Sequence, residues 1–427
     1  MQPHELTAEA ASRSLIAGDF TSEALVRSCL ERISIREQEV GAWIHLDPDH
    51  ALAQARDRDE TPRRSPLHGI PVGIKDIIDT VDMPTAQGSL IYEGFRPAAD
   101  AACVALLREA GAVILGKTVT TEFAAMTQGK TRNPHNPAHS PGGSSSGSAA
   151  SVADLMVPLA LGSQTIGSTI RPAANCGVVG FKGSYGSFSL AGMKPQAPSM
   201  DALGLIARSV GDIGLLRTAL LGVDKDTERL TRTPRIGICQ SPHWSEAKAE
   251  TVEAMGNAVA GLRNAGATTL DIELEVAFTK VLDAQWTILM FECSRGLRYE
   301  LNTHADQLSD ALHNLLEQGR SCPYSKYIAA LELAARCRAR ISAVFKCVDV
   351  LLTPSAAGPA PLYGAPSDLL FQRLWTVLHL PCITLPAYTT SAGLPIGVQL
   401  VAALGDDRRL LAIAEWTMQN LGVANLV

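Results

Sequence analysis

The sequence predicts an α/β protein built on one large mixed β-sheet. Amphipathic helix patterns alternate with short apolar strand patterns over most of the 427 residues, which is typical of this fold class. Apolar residues make up 46% of the chain and charged residues 19%, so there is enough apolar material for a sizeable core. Because no break in composition and no internal repeat divides the sequence, we expect residues 1–427 to form a single domain.

Two amphipathic helices are predicted in the first fifty residues. Thr21 is a suitable N-cap for the second helix, and Leu25, Cys29 and Ile33 recur on one of its faces at helical spacing. The segment DRDETPRRSP that follows is charged and ends in proline, which predicts a loop.

The middle of the chain alternates between helices, strands and loops. The segment DAACVALLREAGAVILGKT predicts a helix, a glycine turn and a strand, and LHGIPVGIKDIIDT is a short apolar run that Lys75 interrupts. Residues 131–143 contain three prolines and two glycines and are predicted to be a loop. We expect a helix of small residues near 145–155 and a strand near 157–161 to follow.

The second half of the chain predicts further α/β structure. The segments PRIGICQ and ATTLDIELE have strand patterns and lie on either side of a polar-faced helix at about 245–264, which indicates a βαβ unit. The segments DVLLTPS, PCITLPAY and PIGVQLVA predict three more short strands, each limited by proline or glycine.

Charge and cysteine content exclude several classes of protein. The net charge is −6 and the basic residues are scattered, so we expect no nucleic-acid or anionic-membrane surface. The nine cysteines include no C-x-x-C motif and no short Cys/His cluster, which favours reduced thiols in the cytoplasm over a disulfide framework or a metal site. The N-terminus lacks the apolar core of a signal peptide, and no run of eighteen apolar residues predicts a membrane span.

Lys75 is the first candidate for chemistry. Its neighbours Val72, Ile74 and Ile77 are apolar, and a lysine is rarely buried unless it is paired. One interpretation is an exposed lysine at the end of a strand, paired with a nearby aspartate. The other is a buried lysine with a lowered pKa, which could act as a neutral base.

The glycine-serine segment HSPGGSSSGSAAS is the second candidate. Around Ser145 it formally matches the G-x-S-x-G nucleophile elbow, but no strand pattern precedes it as that elbow requires. It also lacks the G-K-[ST] ending of a P-loop. A flexible linker and a glycine-permitted backbone that directs a serine inward both remain open, and the apolar helix that follows counts against the linker.

The third candidate is the segment SQTIGSTIRPA. Ser168 follows a glycine in a turn after an apolar strand, and the backbone N–H groups of such a turn can converge on one point, as an oxyanion hole requires. The alternative is an ordinary loop between a strand and a helix, in which Arg171 forms a structural salt bridge.

Together these segments resemble the amidase signature family. GIPVGIKD matches its lysine segment, SPGGSSSGSAA its glycine-serine segment and GSQTIGSTIRPAANCGVVGFK its nucleophile segment, and Ser144 and Ser168 are 24 positions apart, as in the family. The resemblance covers nearly the whole chain and is most specific over about 65–220. Within the family the sequence looks closest to the malonamidase type.

The resemblance implies the amidase-signature fold, in which a large mixed twisted β-sheet is covered by helices on both faces. Within the single domain, it places the signature core at about 65–220, the N-terminal helices at 1–60 and the elements that form the substrate pocket at about 280–400.

The resemblance also implies a catalytic triad. Ser168 is the nucleophile, Ser144 is the bridging serine on a cis peptide bond, and Lys75 is the base. Backbone N–H groups of four residues are expected to form the oxyanion hole: Thr165, Ile166, Gly167 and Ser168. Arg171 and Ser146 are assigned to substrate binding.

The implied activity is hydrolysis of a C–N amide bond in a small substrate through an acyl-enzyme, without a metal or an organic cofactor. The malonamidase type uses an arginine at the position of Arg171 for a substrate carboxylate, so a malonamate-like half-amide is the expected substrate. The expected partners are a small amide and water, with no nucleic acid and no membrane, and the expected assembly is a cytoplasmic homodimer. Trp375 and His379 are candidates for the pocket wall or for packing.

Three residues depart from the family pattern. Ile166 replaces a glycine in the nucleophile turn, and because a β-branched residue resists positive φ, the turn is expected to differ in shape or to have a narrower mouth. Gly183 replaces a usual proline and Asn175 a usual aromatic residue, and we interpret both as changes in substrate choice.

Four alternatives remain. A carbamate or aryl-amide hydrolase would share the site, and so would an amidotransferase subunit that acts within a complex. Ser245 and Lys248 fit the S-x-x-K motif of penicillin-binding enzymes, but no S-D-N or K-T-G motif accompanies them. A non-catalytic binding protein would not need Lys75, Ser144 and Ser168 together.

Overall fold

A computed structural model describes residues 2–223, 228–366 and 368–421. Within these ranges eleven strands form one mixed sheet. The strands are β1 (Trp43–Leu46), β2 (Pro71–Lys75), β3 (Val113–Thr118), β4 (Leu159–Gln164), β5 (Val179–Lys182), β6 (Ala202–Ala207), β7 (Arg235–Ile238), β8 (Thr268–Asp271), β9 (Val350–Pro354), β10 (Cys382–Thr389) and β11 (Pro395–Val401). Their order across the sheet is β1-β3-β2-β4-β6-β5-β10-β11-β9-β7-β8. The predicted α/β fold with a large mixed sheet is confirmed.

Fourteen α-helices accompany the sheet in the same ranges. They are α1 (Ala8–Ala17), α2 (Ser22–Val40), α3 (Pro48–Glu60), α4 (Ala102–Glu109), α5 (Ser146–Ala153), α6 (Ile170–Asn175), α7 (Val210–Leu221), α8 (Ala249–Asn264), α9 (Ala277–Gly296), α10 (Arg298–Thr303), α11 (Asp310–Ser321), α12 (Tyr324–Ile341), α13 (Leu370–Val377) and α14 (Asp407–Asn420). Within the described part of the chain, no helix combines the length and the apolar character that a bilayer span requires.

The centre of the sheet is buried along its whole length. Strand β2 pairs in parallel with β3 and β4, and β4, β6, β5, β10, β11 and β9 then follow one another antiparallel. Every residue of β2, β3, β4 and β6 is buried, which explains why these strands are nearly continuous apolar runs without polar alternation. A polar residue on these strands therefore lies in the protein interior.

The N-terminal region confirms the predicted helix α2 and corrects the loop after it. The Thr21 side chain accepts a hydrogen bond from the N–H of Ala24 at 3.1 Å, and Leu25, Cys29 and Ile33 are all buried. The charged residues at the start of DRDETPRRSP are helical, however, because α3 begins at an Asp47 N-cap with proline in its first turn and continues through Glu60. The short edge strand β1 was not predicted.

The βαβ unit of the second half is confirmed. Strands β7 and β8 are parallel neighbours, and α8 connects them, beginning four residues later than predicted. The three strand segments predicted near the C-terminus are β9, β10 and β11. All nine cysteines are free thiols, and seven of them are buried, in agreement with the expected reduced state.

The glycine-serine segment is a buried helix start. All residues of α5 are buried, so the flexible-linker interpretation is wrong. Gly147 is required there by close contact with the backbone at the ends of β1 and β3, because a Cβ atom would lie 2.2 Å from the carbonyl oxygen of Ala42 and 2.4 Å from the backbone nitrogen of Val119.

This contact predicts that Gly147→Ala destabilises the fold, by about 1–3 kcal/mol or more, since backbone atoms must move to admit the methyl group. Gly256→Ala is the matched control: Gly256 is exposed on α8, and a Cβ atom added to it would have no other atom within 4 Å, so alanine should stabilise the helix by about 0.5–1 kcal/mol. Chemical unfolding of both variants measures the difference. Equal stability of Gly147→Ala and the wild type would contradict the packing described for α5.

Candidate active site

Lys75 lies at the end of β2 and is fully buried. Its Nζ atom is 2.6 Å from Oγ of Ser144 and 2.7 Å from Oγ of Ser163. Burial lowers the pKa of Lys75 well below its ordinary value, and the carboxyl group of Asp201 only partly opposes this effect. The interpretation of an exposed lysine paired with aspartate is therefore wrong. Asp76 instead faces Lys117, with 3.4 Å between Oδ1 and Nζ.

Ser144 is held between two loops. The Gly143–Ser144 peptide bond is cis, as the family resemblance implied. The carbonyl oxygen of Ser144 accepts a hydrogen bond from the N–H of Thr121 at 3.3 Å, and the guanidinium group of Arg171 donates to the carbonyl oxygen of Gly143. The position of the Ser144 hydroxyl beside Lys75 is therefore set by backbone contacts on both sides of the cis bond.

Ser168 lies in the turn between β4 and α6 and lines a narrow cavity. Its carbonyl oxygen accepts a hydrogen bond from the N–H of Ser145 at 3.2 Å, which joins the nucleophile turn directly to the segment that carries Ser144. In the described ranges, the Ser168 hydroxyl has no hydrogen-bond partner. A hydroxyl that opens onto a cavity in this way is accessible to a small molecule.

The turn that precedes Ser168 offers free N–H groups. The N–H groups of Ile166, Gly167 and Ser168 donate no hydrogen bond to any residue that the structure describes. Thr165 is fixed by its side chain, which donates to Oδ1 of Asp201 at 2.5 Å. Ile166 is not among the described non-glycine residues with positive φ, so its branched side chain is compatible with the turn and lines the cavity instead.

The cavity over Ser168 is mostly apolar and has a solvent space of about 30 Å³. Its apolar wall consists of Met126, Ile166, Leu289, Leu315 and Leu369. The helices α9 and α11 and the segment before α13 contribute most of this wall, within the region that was assigned to the substrate pocket. The volume leaves room for about two water molecules, so the site suits a small substrate.

Arg171 lies at the cavity and is buried without a carboxylate partner. Its guanidinium group donates to the carbonyl oxygen of Asp368 at 2.6 Å and to that of Gly143, and among the described residues no carboxylate forms an ion pair with it. Burial lowers the pKa of Arg171 to about 10, while Asp368 raises it. The Nε atom is buried and has no hydrogen-bond partner in the described part of the chain. The predicted structural salt bridge is therefore not formed.

Other residues singled out in the sequence lie away from the cavity. The Ser146 hydroxyl donates to the carbonyl oxygen of Val119 at 3.3 Å, and Ser146 does not line the cavity. Trp375 is fully buried in the core, and His379 stacks on Tyr185 with ring centroids 4.0 Å apart. Asn175 and Gly183 do not line the cavity either, so their departure from the family pattern has no direct contact with substrate there.

Two alternative serine sites lack the required surroundings. The Ser145 hydroxyl is buried, donates to the carbonyl oxygen of Ser163 and accepts from its N–H, so it is engaged in packing β4 against α5. Ser245 and Lys248 of the S-x-x-K motif lie at the surface, away from the cavity over Ser168.

The sequence reasoning missed two site residues, Ser163 and Gln164. Ser163 contacts Lys75, and Oε1 of Gln164 accepts hydrogen bonds from the N–H groups of Thr169 and Ile170 at 3.0 and 3.1 Å. A signal was present, because these two polar residues end a strand that is otherwise apolar or glycine and completely buried. A buried polar side chain needs a partner, and here the partners belong to the site.

Comparisons with known proteins agree with this fold and site. A solved structure described as a crystal structure of amidase superimposes with a TM-score of 0.92 and 29% identity, covering 98% of this chain and all of the other. The native peptide amidase from Stenotrophomonas maltophilia superimposes with a TM-score of 0.86 and 30% identity, over 99% of this chain and 98% of that one. Fold and site define an enzyme of the class that hydrolyses carbon–nitrogen bonds.

The family follows from the sequence comparisons. The model of the Amidase family matches residues 24–411, and the chain belongs to this family. A glutamyl-tRNA(Gln) amidotransferase subunit from Chloroflexus aggregans is 35% identical over 469 aligned residues, covering 96% of each chain. The corresponding protein of Desulfosudis oleivorans is 32% identical and covers 100% of this chain and 99% of the relative. The resemblance to the malonamidase type is therefore not decided by these relatives.

The lowered pKa of Lys75 predicts how activity depends on pH. Because a base must be uncharged to accept a proton, kcat/KM should be constant above this pKa and fall about tenfold per pH unit below it. Lys75→Ala should reduce kcat by about 10²–10⁴-fold and remove the fall on the acid side.

Lys182→Met is the control, because Lys182 is equally buried at the end of β5 but contacts the carbonyl oxygen of Gly183 at 2.7 Å, outside the site. This variant should keep the acid-side pKa of the wild type. An identical pH profile in Lys75→Ala and the wild type would rule out Lys75 as the base.

Proposed function

We propose that this protein is an amidase that hydrolyses small amides through an acyl-enzyme formed on Ser168. The observation that carries the proposal is the 2.6 Å contact between the buried amine of Lys75 and the hydroxyl of Ser144. An uncharged amine has a lone pair as well as N–H donors, so it can accept the hydroxyl proton. The hydrogen bond from the N–H of Ser145 to Ser168 brings the nucleophile turn next to this pair.

The proposed reaction moves one proton along this path. Oγ of Ser168 attacks the amide carbonyl carbon while its proton passes to Oγ of Ser144, whose own proton passes to Nζ of Lys75. The proton returns to the leaving nitrogen, the C–N bond breaks, and an amine or ammonia leaves an ester on Ser168. Water then attacks the ester by the same route and releases the acid. These steps require no cofactor.

The turn before Ser168 is proposed to stabilise the oxyanion. The N–H groups of Ile166, Gly167 and Ser168, which have no acceptor among the described residues, would bind the negative oxygen of the tetrahedral intermediate, and Thr165 completes the turn. Removing one such donor from an enzyme commonly raises the barrier by about 2.7–4 kcal/mol.

Arg171 supports a substrate that carries a carboxylate. A buried guanidinium group without a counter-ion is costly, and its unpaired Nε atom adds an unsatisfied donor at the cavity. A carboxylate bound there would supply the missing charge and the missing acceptor. Because the cavity is narrow, we propose a short half-amide such as malonamate. The buried free cysteines fit a reducing compartment, and we propose a cytoplasmic location.

Ser168→Ala should abolish hydrolysis to within the limit of detection, because the acyl-enzyme then has no oxygen to form on. Ser145→Ala is the comparison that separates this assignment from an α/β-hydrolase nucleophile, and it should retain activity because the Ser145 hydroxyl faces β4. Hydrolysis of malonamate, acetamide, an anilide and a carbamate by both variants provides the measurement. Activity in Ser168→Ala together with none in Ser145→Ala would reverse the assignment.

Arg171→Met should raise KM for malonamate about 10- to 100-fold relative to KM for acetamide, since only malonamate presents a charged acceptor. The ratio of the two KM values is the informative quantity, because damage to the contacts with Gly143 and Asp368 affects both substrates alike. An equal change for the two amides would exclude the carboxylate site and favour a neutral amide, an aryl amide or a carbamate as substrate.

A second candidate function is that of an amidotransferase subunit, which the relatives of that name favour. Such a protein would release ammonia from an amide donor and act within a complex. The alignment with these relatives is longer than this chain, so they contain segments without a counterpart here. Ammonia release from malonamate by the purified chain alone would support the independent amidase. Release only from glutamine, and only with a co-purified partner, would support the amidotransferase.

A further inference from the structure

The direction of the peptide group between Ile166 and Gly167 is set by a hydrogen bond from helix α13. The hydroxyl of Thr376 donates to the carbonyl oxygen of Ile166 at 2.8 Å. In a trans peptide group the C=O and N–H bonds point in opposite directions. Because its carbonyl group is bound to α13, this peptide group directs the N–H of Gly167 away from α13, where it has no acceptor among the described residues.

The hydroxyl of Thr376 is itself directed by Gln164. Oε1 of Gln164 accepts two backbone N–H groups, at 3.0 and 3.1 Å, which determines the orientation of its amide group. Its Nε2 atom must then donate to Oγ1 of Thr376, at 3.0 Å. The Thr376 proton is consequently directed elsewhere, and the carbonyl oxygen of Ile166 at 2.8 Å is nearer than that of Gln372 at 3.3 Å.

The turn is also in close contact with α13. A Cβ atom on Gly167 would lie 2.9 Å from Cβ of Gln372 and 2.8 Å from its Oε1, so only glycine fits between the turn and the helix. Gln164 and Thr376 are almost completely buried, which protects their hydrogen bonds from exchange with water. The two side chains and the packing of Gly167 together leave the peptide group one orientation.

We propose that Thr376 is a positioning residue that aims the N–H of Gly167 at the oxyanion, and that Gln164 aims Thr376. This proposal rests on the proposed function of the turn as the oxyanion site. Without the Thr376 hydroxyl, the carbonyl oxygen of Ile166 loses its buried donor and the peptide group is free to rotate. One donor to the transition state is then lost, although the cavity that binds the substrate keeps its walls.

Thr376→Val removes the hydroxyl and keeps the shape of the side chain. It should lower kcat by about 10²–10³-fold with little change in KM, because the lost donor acts on the transition state. Thr376→Ser, which retains the hydroxyl, should restore kcat to within about tenfold of the wild type. Both are measured on malonamate, or on the amide of the panel above that the wild type hydrolyses fastest.

Thr417→Val is the matched control. Thr417 is a fully buried threonine on α14 whose hydroxyl has no hydrogen-bond partner in the described ranges, so valine there should leave kcat unchanged. Gln164→Glu is a second test that does not depend on the folding of Thr376→Val. It keeps the acceptor for the backbone N–H groups but attracts the Thr376 proton to a carboxylate, so kcat should fall about tenfold or more.

A kcat of Thr376→Val within about threefold of the wild type would overturn the proposal, as would a raised KM with unchanged kcat, which would indicate that Thr376 only shapes the cavity. If Thr376→Val does not fold, an unchanged kcat in Gln164→Glu has the same consequence. Failure of the proposed function is seen separately, as activity in Ser168→Ala. Thr376→Val with normal kcat in an enzyme that Ser168→Ala inactivates removes the positioning role alone.

Discussion

The site depends on one lysine amine that is buried without a carboxylate partner. Among the described residues, Nζ of Lys75 has hydrogen-bonding contact with the hydroxyls of Ser144 and Ser163, and burial lowers its pKa. Lys117 on the neighbouring strand has the opposite surroundings, with Asp76 at 3.4 Å and backbone carbonyl oxygens around Nζ. An ammonium ion suits those acceptors, whereas two hydroxyls suit a free amine. Two adjacent strands thus carry one lysine for structure and one that we assign to proton transfer.

The loops around this amine are joined by groups that do not titrate near neutral pH. The N–H of Ser145 connects the two serine segments, and Gln164 and Thr376 connect the nucleophile turn to α13. In a site where one amine must change its charge during the reaction, neutral connections keep the positions of the donors independent of pH. Arg171 is the exception, since its charge reaches both Gly143 and the cavity.

The same arginine separates this chain from a site that only needs shape to select its substrate. The cavity walls are aliphatic and close together, and such a pocket distinguishes small apolar groups by only about 1–3 kcal/mol per methylene. A buried guanidinium group without a counter-ion selects by charge instead, which is a stronger criterion for so small a volume. The relatives with known names act on different amides, so this local feature carries more information about substrate than the family does.

The sequence by itself determined the fold class, the helix at Thr21, the βαβ unit and the three polar segments, because each depends on patterns within a few residues. It could not place Ser163 against Lys75 or Ser146 away from the cavity. Lys75 is 69 and 88 residues from the two serines whose hydroxyls it contacts, and one of them reaches it only because β2 pairs in parallel with β4. The charge state of the amine, the free N–H groups of the turn and the missing counter-ion of Arg171 were likewise decided by tertiary structure, since burial and hydrogen-bond partners are properties of the packed chain and not of any segment.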